Sequence, residues 1–385
     1  MSSAGGNNPA TARCHTRPMA IPPLAGYTVA VTADRRREEQ VELLRRRGAD
    51  VLEGPTVRTV PLADDSSLRA GIEAIVARPP RITVVLTGLG VRTLLGAAES
   101  MGLGEELLAA IGQSEVYTRG PKATGAAVTA GIDVAWSTVG ERSTELLAEL
   151  ADAATAGTRI AVQRDGDADP HLARALAALG GDVVDIPVYR WSMPEDLLPA
   201  QRLLEAVCAR SVDAVTFTSS PSVRHLFDLA EVSGQRDELL EALNGPVLAV
   251  CVGPVCSETA KELGIGSAVV PKRARLGTMV LALAAELGGR ARRLELRGAE
   301  VTIQGALAVV GDEEVRLTDR ERAVLHALVD AGGAVVPKRT LLRDVWGAAA
   351  TDEHAVEVTV SRLRSRLGVV GAAVQTVPRR GYRLA

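Results

Sequence analysis

Aromatic residues are scarce in this 385-residue chain, which has only three Trp, four Tyr and two Phe. Any core must therefore be aliphatic. Cysteine is scarce too: Cys14, Cys208, Cys251 and Cys256 are too few and too scattered for a disulfide framework, and Cys251 with Cys256 lacks the usual zinc-ligand spacing. No disulfide framework and no zinc site is expected from them, and a reducing cytoplasm is the expected compartment. No apolar run reaches the roughly eighteen residues needed to span a membrane. The opening stretch is rich in Gly, Asn, Ala and Pro without a signal-type apolar segment, so residues 1–25 are expected to be a disordered tail. An excess of positive charge is also missing, since the formal net charge is −3. A nucleic-acid surface would have to come from local sorting of charge.

What is present is ample material for folding, with 46% apolar and 24% charged residues. The length predicts two or three domains. A repeat stands out: Gly48-Ala-Asp-Val-Leu-Glu-Gly-Pro-Thr-Val-Arg58 aligns with Gly180-Gly-Asp-Val-Val-Asp-Ile-Pro-Val-Tyr-Arg190. Val29–Val31 then pairs with Ile160–Val162, Leu86-Thr87 with Phe217-Thr218, and Gly120-Pro121 with Gly253-Pro254, all in the same order. Short apolar runs alternate with Ala/Leu-rich segments of helical spacing, which predicts βα units on parallel sheets covered on both faces. The predicted fold is α/β: two similar parallel-sheet lobes from an internal duplication, with a ligand cleft between them and hinge strands following Pro55 and Pro187.

The stretches Ile186-Pro-Val-Tyr-Arg190, Val212-Asp-Ala-Val-Thr-Phe-Thr-Ser-Ser-Pro-Ser-Val-Arg224 and Val252-Gly-Pro254 resemble uroporphyrinogen-III synthase. Members of that family cyclise the linear tetrapyrrole hydroxymethylbilane, inverting its last ring, without a cofactor. The resemblance covers residues 26–288 and implies that the chain swaps between lobes, with hinges near 56–60 and 188–192. Tyr189 matches the family tyrosine that projects into the cleft and assists departure of the substrate hydroxyl; a phenol can donate a proton to such a leaving group. Its repeat partner Val57 keeps open a purely packing role. Thr218, Ser219, Ser220, Ser222 and Gly253 lie where a strand meets a helix, so their hydroxyls and N–H groups can bind carboxylates, or simply cap the helix. Arg119 and Arg35 are further candidate carboxylate partners. The first copy departs from the family pattern at Thr32-Ala-Asp34, Thr87-Gly-Leu-Gly90 and Tyr117-Thr-Arg119, on loops expected to face the cleft.

After a linker expected at 289–298 the texture changes. Residues 299–385 begin with three short alternating stretches that predict a small antiparallel sheet. Thr318 with Glu321 forms a capping-box signature ahead of Val324, Leu325 and Leu328. Lys338–Gly347 and Glu353–Gly368 predict two more helices, the last with Val356, Val360, Leu363 and Leu367 as its apolar stripe. From 338 to 385 there are nine Lys/Arg against four Asp/Glu, and from 299 to 337 three against seven. Charge is thus sorted within one small domain.

Leu317-Thr-x-x-Glu321, Val345-Trp-Gly347, Val356-x-Val-x-x-Ser-Arg-Leu-Arg364 and Gly381-Tyr-Arg383 resemble the OmpR/PhoB-type winged-helix domain of response regulators. The resemblance implies that Val358 and Arg362 read base edges of double-stranded DNA. Thr359, Ser361, Arg364 and Tyr382 would meet phosphates, with Arg366 on the same helix side, and Arg379 or Arg380 would enter the minor groove. Pro378 stands where an arginine is common. No receiver-type set of acids and lysine is legible upstream, so control by aspartyl phosphorylation is not expected. The combination predicts a sequence-specific transcriptional regulator, a homodimer on DNA by analogy, whose other half senses a partner or a ligand, a linear or cyclic tetrapyrrole being the candidate. The alternative is a bifunctional protein that retains synthase activity.

Overall fold

The computed structural model describes residues 21–62, 66–166, 170–347 and 351–385. The first copy of the repeat runs through Thr28–Val31 (β1), Arg37–Arg45 (α1), Asp50–Glu53 (β2), Arg58–Pro61 (β3), Ser66–Ala77 (α2) and Ile82–Val85 (β4). It continues with Gly88–Ser100 (α3), Gly104–Gly112 (α4), Glu115–Thr118 (β5), Pro121–Thr129 (α5), Trp136–Ser137 (β6) and Ser143–Leu150 (α6). The second copy runs through Arg159–Arg164 (β7), His171–Ala178 (α7), Asp182–Pro187 (β8), Tyr189–Ser192 (β9), Leu198–Cys208 (α8) and Ala214–Phe217 (β10). Ser220–Val232 (α9), Arg236–Leu243 (α10), Leu248–Cys251 (β11), Pro254–Glu262 (α11), Ala268–Val269 (β12) and Leu276–Gly288 (α12) complete it.

These strands build two parallel five-stranded sheets, β12-β11-β10-β1-β2 in lobe A and β6-β5-β4-β7-β8 in lobe B. The two orders are the same once each strand is replaced by its repeat partner. Each sheet therefore takes two strands from one copy and three from the other. The central strands are apolar throughout because helices cover both faces: every residue of β4 and of β10 is buried. β3 and β9 pair antiparallel, Val60 opposite Arg190, and carry the chain between the lobes side by side.

The C-terminal part opens with a four-stranded antiparallel sheet of Arg292–Leu296 (β13), Ala299–Gln304 (β14), Leu307–Val310 (β15) and Glu313–Arg316 (β16). Asp319–Asp330 (α13), Lys338–Trp346 (α14) and His354–Arg366 (α15) follow, then a 3-10 turn over Gly368–Ala373 and the hairpin Val374–Val377 (β17) with Gly381–Leu384 (β18). Thr318 and Glu321 form the expected reciprocal capping box at the start of α13, a device worth about 1 kcal/mol. Val356, Val360, Leu363 and Leu367 are each at most 2% exposed and pack on Val324, Leu325 and Leu328.

Two boundaries differ from the sequence expectation. Residues 292–296, expected in a linker, are a strand, because Leu294 and Leu296 alternate with charged residues and the next two residues make a tight hairpin turn. Arg297 and Gly298 both have positive φ, 53° and 77°, as a two-residue turn matched to strand twist requires. Residues 21–25, expected in the tail, belong to the fold: Leu24 is fully buried and its N–H donates to the Arg47 carbonyl. The remainder of the expected tail, residues 1–20, lies outside the described residues.

Candidate nucleic-acid interface and inter-lobe cleft

The basic face of the C-terminal domain is built on α15 and the hairpin tip. The apolar stripe of α15 turns inward and leaves Ser361 and Arg362 exposed and Val358 half-buried. The β17–β18 hairpin carries exposed Arg379 and Arg380 at its tip. Among the described residues Arg362, Arg379 and Arg380 enter no ion pair. A concavity of about 250 Å³ beside the start of α13 is lined by Arg320, Arg362 and Arg366 with Thr318, Glu321 and Thr359. An exposed helix flanked by a basic hairpin has the shape and charge to enter a major groove and touch the backbone beside it.

Four of the expected DNA contacts are occupied within the protein. The Thr359 hydroxyl donates to the Ala355 carbonyl at 2.9 Å and the residue is 9% exposed; one turn of helix lies within reach of its own side chain. Arg364 donates to the Val374 carbonyl and to the Thr376 hydroxyl and lies over the Tyr382 ring at 5.9 Å, while Tyr382 is 4% exposed. These two residues seat the hairpin on the recognition helix. Arg366 donates to Glu321 at 3.0 Å and to the Arg316 carbonyl. Glu321 is 2% exposed, and the Arg366 side chain that donates to it is about half exposed, so the pair is worth roughly 1.5–3 kcal/mol as a charge-assisted hydrogen bond.

In the cleft, Tyr189 is 4% exposed and its hydroxyl donates to Thr87 Oγ1 at 3.3 Å. Burial pushes this phenol above its ordinary pKa, so it is a neutral donor. Arg119 pairs with Asp165 at 2.7 Å, and Arg142 of lobe B pairs with Glu258 of lobe A across the lobes. Ser219 caps α9 by accepting from the Ser222 N–H; the Ser222 hydroxyl donates back to the Ser219 carbonyl, and that of Ser220 to the Val255 carbonyl. Gly253 opens α11 ahead of a proline at its first turn. Arg35 is exposed on the lobe A side.

The family profile of uroporphyrinogen-III synthase HemD matches residues 38–280. The chain belongs to this family. The profile of the C-terminal domain of transcriptional regulatory proteins matches residues 312–384, so the HemD fold is followed by a DNA-binding domain of the OmpR type. The uncharacterized protein YjjA of Bacillus subtilis is 30% identical over 261 residues, 68% of this chain and 96% of its own length. A solved uroporphyrinogen III synthase of Thermus thermophilus superposes with a TM-score of 0.57 at 29% identity, over 68% of this chain and 99% of that one. The KDP operon transcriptional regulatory protein KdpE of Escherichia coli is 37% identical over 71 residues, 18% of this chain and 32% of its own length.

Within the HemD half, the expected ligand residues separate. Thr218 is half-buried at the cleft end of β10, whereas Ser219 and Ser222 are used up in capping and Ser220 in bridging to α11. Gln163 was not singled out in the sequence. It is 1% exposed, accepts from the Thr87 N–H at 3.2 Å, and leaves no room for a Cβ at Gly90. Gly90 stands at the repeat position of Ser222, and the Gln163 side-chain amide fills the start of α3 in lobe B. A polar residue inside the apolar run Ile160-Ala-Val-Gln163 was the available signal. Among the described residues no group of three or more His, Cys, Asp or Glu is placed to hold a metal ion, and no helix is long and apolar enough to cross a membrane.

Proposed function

We propose that this chain is a sequence-specific DNA-binding transcriptional regulator whose HemD half senses a ligand, the chemistry of the cleft favouring a carboxylate-rich linear or cyclic tetrapyrrole. The observation that carries this reading is the exposure of Arg362 on α15 together with Arg379 and Arg380 at the hairpin tip. These cations are presented outward while the neighbouring Arg364 and Arg366 hold the scaffold beneath them. Val358 and Arg362 read bases, Ser361 and the tip arginines meet the backbone, and two chains bind adjacent half-sites, since one recognition helix reads only a short site. The test is genome-wide binding of the full chain in its own cell against Arg362→Ala. Discrete sites lost in the variant are expected, and binding sites shared by both proteins would overturn the assignment.

A retained synthase activity is the second reading, favoured by a neutral Tyr189 phenol on the strand that joins the lobes. It predicts that the purified chain converts hydroxymethylbilane to the type III isomer; formation of the type I isomer alone would exclude it. The sensor reading is preferred because Tyr189 and Arg119 already have protein partners in the cleft, and Gln163 occupies the start of α3.

A further inference from the structure

The joint between the HemD half and the DNA-binding domain has no slack. Only residues 289–291 separate α12 from β13, and Arg290 is itself held by donating to the Pro246 carbonyl at 2.9 Å. On the lobe A side, the Tyr27 hydroxyl donates to the Leu287 carbonyl at 2.7 Å and fixes the end of α12 just ahead of this connection.

Further contacts cross the joint. The Gln304 amide donates to the carbonyls of Pro22 and Ala25, and the Ala306 N–H to that of Gly26. Gly26 and Gly305 face each other so closely that a Cβ on either would overlap the other segment's backbone. Arg316 pairs with Asp50. Most telling is Asp213: 8% exposed, it accepts from Arg322 of α13 at 2.7 and 3.3 Å and from the Thr28 N–H at 2.8 Å. One carboxylate thus joins β1, β10 and the first helix of the DNA-binding domain. A charge pair this enclosed holds one geometry, because separating it strands two charges away from water.

These contacts all gather where β1 and β10 begin. In a parallel sheet that is the end opposite the cleft residues Thr218 and Gly253, which follow the strand ends. Nothing comparable ties lobe B to the DNA-binding domain among the described residues. Lobe B reaches lobe A through the paired β3 and β9 strands and the half-exposed Arg142–Glu258 pair.

We propose that the DNA-binding domain and lobe A form one rigid body pinned by the Asp213–Arg322 pair, so that lobe B is the part that moves relative to bound DNA. A ligand in the cleft would then act by repositioning lobe B, and not by releasing the recognition helix. The role of DNA here rests on the regulator reading, but the rigid joint does not and is tested without DNA.

The test is spin-label distance measurement on the full chain with Cys14 and Cys208 changed to serine. Labels are placed by Val369→Cys in the DNA-binding domain with either Val232→Cys in lobe A or Val128→Cys in lobe B, all three exposed sites. The 232–369 pair should give one narrow distance peak, and Glu258→Ala should shift or broaden the 128–369 distribution without touching it. Arg322→Ala should lose the single 232–369 peak and Arg322→Lys restore it, with circular dichroism confirming that each variant is folded. A broad 232–369 distribution in the unsubstituted joint overturns the proposal, as does a 232–369 peak that moves with Glu258→Ala or survives Arg322→Ala unchanged. If the joint proves rigid while genome-wide binding finds no discrete sites, the regulator reading fails and the joint stands.

Discussion

Arg362 of α15 and the two arginines of the hairpin tip differ from the cleft arginines Arg119 and Arg142 in their partners. Arg362, Arg379 and Arg380 face outward without a carboxylate, whereas Arg119 and Arg142 are each held by one. An unpaired surface arginine can meet a phosphate at once, displacing only water and counterions. A paired one must first give up its acid, and under the proposed sensor reading an anion that took Arg142 from Glu258 would loosen a contact between the lobes.

This contrast can be broken or sharpened experimentally, beginning with the arginine that has been assigned to scaffolding. Arg366→Ala should lower stability by about 2 kcal/mol, because Glu321 loses its charge-assisted hydrogen bond, while DNA affinity per folded molecule changes less than it does in Arg362→Ala. Denaturant titration beside fluorescence anisotropy separates the two, and an Arg366→Ala protein of normal stability but lost affinity would return Arg366 to the DNA surface. Tyr27 at the joint offers a pH test. Burial, aided by Asp213, pushes its pKa up to about 12, above the unfolded value near 10. Its contribution is therefore complete below about pH 10 and lost as the pH rises toward 12, a decline of at most about 3 kcal/mol. Tyr27→Phe should flatten stability across that window.

Smaller effects test the free cations and the cleft. Arg362→Ala should cost about 1–3 kcal/mol of specific affinity with an unchanged melting temperature, measured by anisotropy on a selected operator. A comparable loss on every sequence would make Arg362 a phosphate contact and not a base reader. Tyr189→Phe removes one hydroxyl with a bond to Thr87 and should cost about 1 kcal/mol of stability, leaving DNA affinity unaltered. If it also abolished formation of the type III isomer by the purified chain, the synthase reading would gain what it now lacks.

Much of this architecture was legible because it rests on short-range chemistry. The capping box of Thr318 with Glu321 and the four-three-four spacing of Val356, Val360, Leu363 and Leu367 each involve residues within one or a few turns. The duplication was legible because two copies of a strand-turn-strand keep the same order of Pro, Arg and Gly. The occupied contacts were not. Spacing placed Arg362 and Arg366 on one helix side, and only the tertiary fold puts Glu321, 45 residues earlier, against one of them. Asp213 is 109 residues from Arg322, and a lone acid at the entry to a buried strand does not announce its partner. Strand β13 was missed because Arg-rich alternation beside a helix end looks like linker when the hairpin turn Arg297-Gly298 goes unrecognised.

The exchange of strands between the two copies also dictates an order of assembly. β1 cannot complete its sheet until β10 is made, since Val29 pairs with Ala214, and lobe B likewise waits for β7 and β8. The HemD half must bring together segments more than a hundred residues apart, a slow search in which long loops close before their contacts reward them. The C-terminal domain is held mainly by contacts among its own last ninety or so residues and needs no such wait. During synthesis the duplicated half emerges before the winged helix. The Asp213–Arg322 pair joins segments 109 residues apart, one from each half, so closing the joint brings together parts of both.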